Sequence, residues 1–156
     1  MDGDLRLRDS GSGAQGVTVR TATAADIDAV VALNRASAAV AFAPIFGDAP
    51  YPEEGVRRRY ARLLADPDVR AFIVDGLGYA VARRGRLEAL YVVPEAWGTG
   101  VADRLYADAA AVAGPGATLW VLRDNGRGRR FWERHGWEPT GEEDVTNAVE
   151  LLYRRR

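Results

Sequence analysis

Between residues 86 and 113 the chain changes its periodicity almost without a break. RLEALYVV (residues 86–93) reads as a strand, PEAWGTG brings in Pro94, Gly98 and Gly100, and the alanine-rich stretch after it reads as a helix. The start of a helix presents backbone N–H groups with no intrahelical partner and carries a partial positive charge. Glycines at that point let the backbone come close to an anion and take conformations that a β-carbon forbids. Gly98-Thr99-Gly100-Val101-Ala102 after a strand is therefore a candidate phosphate cradle, and its spacing also fits a plain strand-to-helix turn. Two other phosphate loops fail on detail. No Lys-Ser/Thr follows, as an NTPase P-loop requires, and Asp103 stands where a dinucleotide fingerprint has its third glycine.

The flanking pattern fixes the fold class. Residues 17–20 (VTVR) read as a short strand, and Thr23 to Asp26 offer a capping-box start to a helix continued by Ile27, Val30, Val31 and Asn34. Residues 43–52 form a proline-broken loop, and residues 53–64 a second helix that ends before Pro67. Strands at 69–74 and 77–82 are expected to meet across Asp75-Gly76 as a two-residue hairpin, with a further turn at Arg83-Arg84-Gly85. After the glycine joint come a helix over residues 99–113, a strand at 118–122, a short helix over 127–135 closed by Gly136, and strands near 137–139 and 148–153. Antiparallel strands followed by a strand–helix–strand crossover predict a mixed α/β sheet in a single domain over residues 17–156. Residues 1–16, polar and rich in Gly, Asp and Ser, are expected to be a flexible tail.

Composition narrows the function classes. A net charge of −1 favours neither a nucleic-acid nor a membrane-surface partner, and all 21 basic residues are arginine. With no cysteine there is no thiolate nucleophile, no disulfide framework and no zinc–thiolate site, and no metal is expected. No apolar run approaches the roughly 20 residues that span a bilayer, so the expected location is cytoplasmic.

Two ordered motifs carry a resemblance. Residues 90–105, LYVVPEAWGTGVADRL, are similar to the strand–proline–Gly-x-Gly–helix segment of the GCN5-related N-acetyltransferase (GNAT) family. At the right distance, LWVLRDN (119–125) and RRFWERHGW (129–137) resemble the family's strand–Asn–helix–Gly–aromatic segment. The resemblance covers residues 17–154 and implies a GNAT-like fold, with flanking helices and a mostly antiparallel sheet whose central parallel strands splay apart. It implies acetyl-CoA as co-substrate, with its pantetheine arm on the backbone of Tyr91, Val92 and Val93. The pyrophosphate would lie on the N–H groups of Gly98, Thr99, Gly100, Val101 and Ala102, and Trp97, Asn125 and Trp132 would line the cofactor. Implied partners are a small-molecule or peptide amine acceptor, with no nucleic acid and no membrane, and the chain a monomer or homodimer.

Four positions depart from the family's pattern. Trp97 replaces the usual Gln or Arg, exchanging a polar contact for a flat apolar surface. Gly128 replaces a frequent alanine and should weaken its helix slightly. Trp132 stands where many members carry a tyrosine that protonates the departing thiolate; an indole N–H is a donor with no proton to give near neutral pH, so packing is the expected role. Arg86 occupies the place nearest to the family's frequent glutamate, leaving Glu88, two residues on, as the candidate base. The lone His135 suits a helix C-terminus, and any of Arg127, Arg129 and Arg130 falls near the expected phosphates. These departures keep a non-catalytic acyl-CoA-binding domain open beside an N-acetyltransferase working by direct attack of an amine.

Overall fold

The structure, a computed structural model, describes residues 17–156; the tail expected over residues 1–16 lies outside them. In chain order the elements are β1 (Arg20–Ala22), a 3-10 turn (Ala24–Asp26), α1 (Ile27–Ala41), α2 (Ala43–Phe46) and α3 (Glu53–Ala65). Then follow β2 (Val69–Val74), β3 (Gly78–Arg83), β4 (Arg86–Val92), a second 3-10 turn (Pro94–Ala96) and α4 (Val101–Ala113). The chain closes with β5 (Thr118–Leu122), α5 (Gly126–Arg134), β6 (Trp137–Asp144) and β7 (Glu150–Arg155). All seven strands join one sheet in the order β1-β2-β3-β4-β5-β7-β6, antiparallel throughout except for the central pair β4–β5.

Neighbouring residues of β3 define the two faces. Tyr79 is buried, and its hydroxyl donates to Tyr60 on α3 and accepts from Asn34 on α1. A β-carbon on Gly78 would instead stand 3.1 Å from Leu105 of α4. Successive strand residues point to opposite faces, so α1 and α3 cover one side of the sheet and α4 the other. Between them lies the core, built on Ile73, Tyr79, Ala80, Val81, Leu105 and Leu119.

Several local expectations are corrected by longer-range pairing. β1 falls at Arg20–Ala22 rather than 17–20, because Arg20, Thr21 and Ala22 pair with Ile73, Phe72 and Ala71. Arg20 is anchored there, 2.9 Å from Asp26 and 2.7 Å from Asp75. The β2–β3 connection has three residues, not two: Val74 faces Gly78, and Gly76 takes the left-handed conformation at φ 76°. The loop after α1 contains the helical turn α2, opened by Pro44 in its first turn. β6 runs on to Asp144 through an irregularity between Pro139 and Glu143, which lets it follow β7.

A bulge interrupts β4. Val81 faces Ala89 but Ala82 faces Leu87, which leaves Glu88 as the extra residue. Gly78 is the tightest glycine beside β4, since a β-carbon there would stand 2.7 Å from the Tyr91 carbonyl oxygen and 3.1 Å from Val92. Gly78→Ala is therefore expected to destabilise the domain by about 1–3 kcal/mol through overpacking. Thermal and denaturant unfolding check this, and an unchanged midpoint would contradict the close contact.

Candidate functional site

The central parallel strands meet only at their beginnings. Arg86 is level with Thr118, the Thr118 N–H donates to the Gly85 carbonyl, and the Arg86 Nε donates to the Thr118 hydroxyl at 3.1 Å. Beyond that point no pairing joins β4 to β5, although each keeps a complete antiparallel neighbour on its other side. A wedge opens between them, continuous with a cavity of about 760 Å³.

Which backbone groups face the wedge follows from the ladder. The Val93 N–H donates to Leu77 at 2.9 Å, on the β3 side. Peptide groups alternate sides along a strand, so Tyr91 also addresses β3 while Leu90 and Val92 address the wedge. The expected trio of Tyr91, Val92 and Val93 is thereby corrected: of its backbones only that of Val92 lies open, joined by that of Leu90. The Val92 carbonyl accepts from the Trp97 indole at 3.1 Å, which leaves its N–H available.

At the wide end of the wedge sits the glycine joint. Gly98 and Gly100 adopt φ 76° and 91°, the left-handed region, and nothing lies within 4 Å of where a Gly98 β-carbon would be. The first helical bond of α4 runs from the Arg104 N–H to Gly100 and the Val101 N–H reaches the Thr99 hydroxyl at 3.5 Å, so the N–H groups of Ala102 and Asp103 are the ones the helix start leaves over. Thr99 turns its hydroxyl back to Ala96, and the Val101 side chain is buried in the core. Trp97 forms one wall, with the Arg127 guanidinium 3.9 Å from its ring centroid. Arg129 is committed elsewhere, to the Tyr153 hydroxyl at 2.9 Å and the Arg123 carbonyl at 3.2 Å. Of the three arginines singled out in sequence, Arg127 is the one that lines the cavity, joined there by Arg134 from the end of α5.

Asn125 and Trp132 come to the same cavity. Asn125 caps α5, accepting from the Gly128 N–H at 3.0 Å. Trp132 is buried and packs on Phe131 and Trp137, with ring centroids 5.1 and 5.8 Å away, as a packing aromatic would. His135 Nε2 lies 2.9 Å from Asp103 Oδ1 while its ring rests on Tyr106 and Phe131.

On the α1/α3 face, Tyr91 packs between Tyr79 and Phe42, and burial pushes its phenol pKa upward. Glu88 lines the cavity from the bulge, but its oxygens lie 3.3 Å from Arg83 and 3.9 Å from Arg59. Tyr51, in the proline-broken loop before α3, donates to Asn34 and so ties that loop to the buried Asn34–Tyr79–Tyr60 chain. Glu150 also lines the cavity, and sequence reading passed over it because no motif marks a lone acidic residue within the expected strand at 148–153. Only its register with Leu122 reveals the position. Among the described residues no group of three His, Cys, Asp or Glu side chains is placed to hold a metal, and no helix is long and apolar enough to cross a membrane.

A sheet split between parallel strands, with a glycine-capped helix at the opening, defines the GNAT type of α/β fold. PaiA N-acetyltransferase from Thermoplasma acidophilum, determined in complex with coenzyme A, superposes with a TM-score of 0.69 at 17% identity, over 90% of this chain and 99% of that one. The apo form of YjaB from Escherichia coli gives 0.68 at 18% identity, over 88% and 96%. An acetyltransferase from Thermus thermophilus gives 0.67 at 18% identity, over 89% and 96%. No curated protein matches the chain. Residues 43–137 match the Acetyltransferase (GNAT) family, and the chain belongs to that family.

The glycine at 128 has a local reason. A β-carbon there would stand 2.5 Å from Asn125 Nδ2, so any larger residue displaces the cap of α5. Helix propensity alone would make Gly128→Ala stabilising by about 0.8–1.0 kcal/mol. Loss of the cap, worth about 1 kcal/mol, offsets that gain. The melting temperature is expected to stay level or fall, and a rise of the full propensity value would contradict the clash.

Proposed function

We propose that this protein is an acetyl-CoA-dependent N-acetyltransferase in which an acceptor amine attacks the thioester directly. One observation carries the reading: the β4–β5 wedge offers unpaired backbone groups along its length and an anion cradle at its wide end. That order suits a ligand with an amide-rich arm and a pyrophosphate, as coenzyme A has. When bound, acetyl-CoA supplies an activated acetyl group.

The residues divide the work accordingly. The N–H groups of Leu90 and Val92 are the strand donors available to the pantetheine amides and the thioester carbonyl, where a fixed donor polarises the bond under attack. Gly98, Gly100, Ala102 and the start of α4 receive the pyrophosphate. Arg127, braced on Trp97, adds a cation beside it. Trp132 packs beside the cofactor, and the leaving sulfur needs no dedicated side-chain acid, because a thiol of pKa near ~8.5 leaves tolerably as thiolate. Asn125 lines the cavity while its side-chain oxygen caps α5. Positioning the amine against the thioester supplies much of the acceleration.

The test is free-thiol release from acetyl-CoA in the presence of an amine panel, with calorimetric titration of coenzyme A alongside. Turnover with at least one amine is expected, and Arg127→Ala should weaken coenzyme A binding about tenfold, the loss of one charge-assisted contact. Tight coenzyme A binding with no amine acetylated would instead establish a non-catalytic acyl-CoA-binding domain. Unchanged affinity in Arg127→Ala would remove that arginine from the cradle.

A further inference from the structure

A carboxylate with no assigned role faces the proposed acceptor side of the cavity. We propose that Glu150 receives the acceptor amine, holding its ammonium form on arrival and taking its proton, and that the acceptor carries this amine on an apolar body. The inference rests on the acetyl-transfer reading above and names the group and substrate class that it leaves open.

Register and face position the carboxylate. Glu150 opens β7 opposite Leu122, the last residue of β5, and so stands where the wedge is widest. Tyr153, three residues on, reaches Arg129 and Glu133 of α5. The period of two then sends Glu150 to the opposite face, where Tyr91 and Phe42 lie. Glu150 is half-buried and its side chain makes no hydrogen bond or ion pair among the described residues, whereas both oxygens of Glu88 already face guanidinium groups. A desolvated carboxylate without a partner is costly to the fold, and a cationic ligand supplies what is missing.

The charged groups facing it are few. Asp144 of β6 stands opposite in the ladder, with its own oxygen held by the Thr146 N–H and hydroxyl. Arg59 of α3 acts from a distance, Tyr91 of β4 feels the Glu150 charge, and β5 contributes the uncharged Trp120 and Leu122. Burial first, and the like charge of Asp144 second, push the Glu150 carboxyl above its ordinary value against the pull of Arg59. A raised carboxyl is the better proton acceptor near neutral pH.

The walls give the acceptor its character. Phe42 meets Tyr91 and Phe46 edge-on at 6.0 and 6.4 Å, and Phe46 remains 46% exposed. An ammonium at Glu150 places an attached apolar group against these rings. One ammonium proton passes to the carboxylate, and the freed nitrogen pair forms the N–C bond at the thioester carbonyl. The C–S bond breaks with its electrons on sulfur, the second nitrogen proton goes to that thiolate, and Glu150 returns its proton to water.

The full chain is assayed with acetyl-CoA and 2-phenylethylamine, ethanolamine or glycine, comparing wild type with Glu150→Gln, Glu150→Asp and Glu88→Gln. We expect 2-phenylethylamine to be preferred, and Glu150→Gln to lose about 10²–10⁴-fold in turnover. Its acetyl-CoA affinity should be unchanged, the acid limb of the pH–rate profile should disappear, and Glu150→Asp should recover part of the rate. Stability separates this from a structural role. A carboxyl whose folded pKa lies above its unfolded value, about 4.5, costs stability increasingly as pH rises from the unfolded value to the folded one, and the cost vanishes in acid. Glu150→Gln should therefore melt no lower than wild type at neutral pH, and a lower melting temperature would mark a structural residue. A wild type that acetylates none of the amines overturns the transfer reading and this assignment with it. A working wild type whose turnover and pH profile survive Glu150→Gln overturns the assignment alone, and a preference for glycine overturns the apolar acceptor.

Discussion

Everything functional in this molecule depends on two parallel strands that pair at one end only. Backbone N–H and C=O groups left unpaired in a sheet interior are costly, so a fold that keeps them open must bound the gap firmly. β4 is held to β3 along its length and β5 to β7, so the gap cannot close by sliding either strand. At the narrow end the Gly85 N–H donates to Ala113 and the Gly85 carbonyl accepts from Thr118, pinning the last turn of the crossover helix and the start of β5. At the wide end Pro94 begins a tight turn that carries the chain away into the cradle. The wedge is a fixed feature of the sheet.

The two sides of the wedge are built by different means. The cradle side is mainly backbone: left-handed glycines, a helix start, and one arginine held over the Trp97 ring. The opposite side is side-chain chemistry on a rigid polar base. Tyr51, Asn34, Tyr79 and Tyr60 form a continuous hydrogen-bonded chain from the loop into the core. Satisfied buried networks of this kind specify one arrangement, because breaking any link strands the others without partners. They hold the α1–α3 segment, and with it Phe42 and Phe46, over the cavity.

Local pattern made the fold and the glycine joint legible in sequence. Period-two runs marked the strands, and proline and glycine marked the joint, each within a window of a few residues. What escaped was non-local. Which of Leu90, Tyr91, Val92 and Val93 opens its backbone to the wedge depends on the ladder with β3. The choice of Arg127 over Arg129 depends on where Tyr153 stands. Gly128 reads as a weak helix former until Asn125 is seen folded back over it. Glu150 gains its position from a partner 28 residues earlier, at Leu122. Glu88 could be singled out by type and place, but its two arginine partners come from α3 and the end of β3.

The central claim is that Leu90 and Val92 present open backbone amides to the cofactor arm while their neighbours are already bonded. Residue-resolved amide hydrogen exchange, with and without saturating coenzyme A, tests it most directly. The account predicts that the Leu90 and Val92 amides exchange readily in the free protein and become protected with coenzyme A, while those of Tyr91 and Val93 are protected throughout. Leu90 and Val92 amides protected without ligand, or unaffected by bound coenzyme A, would contradict it.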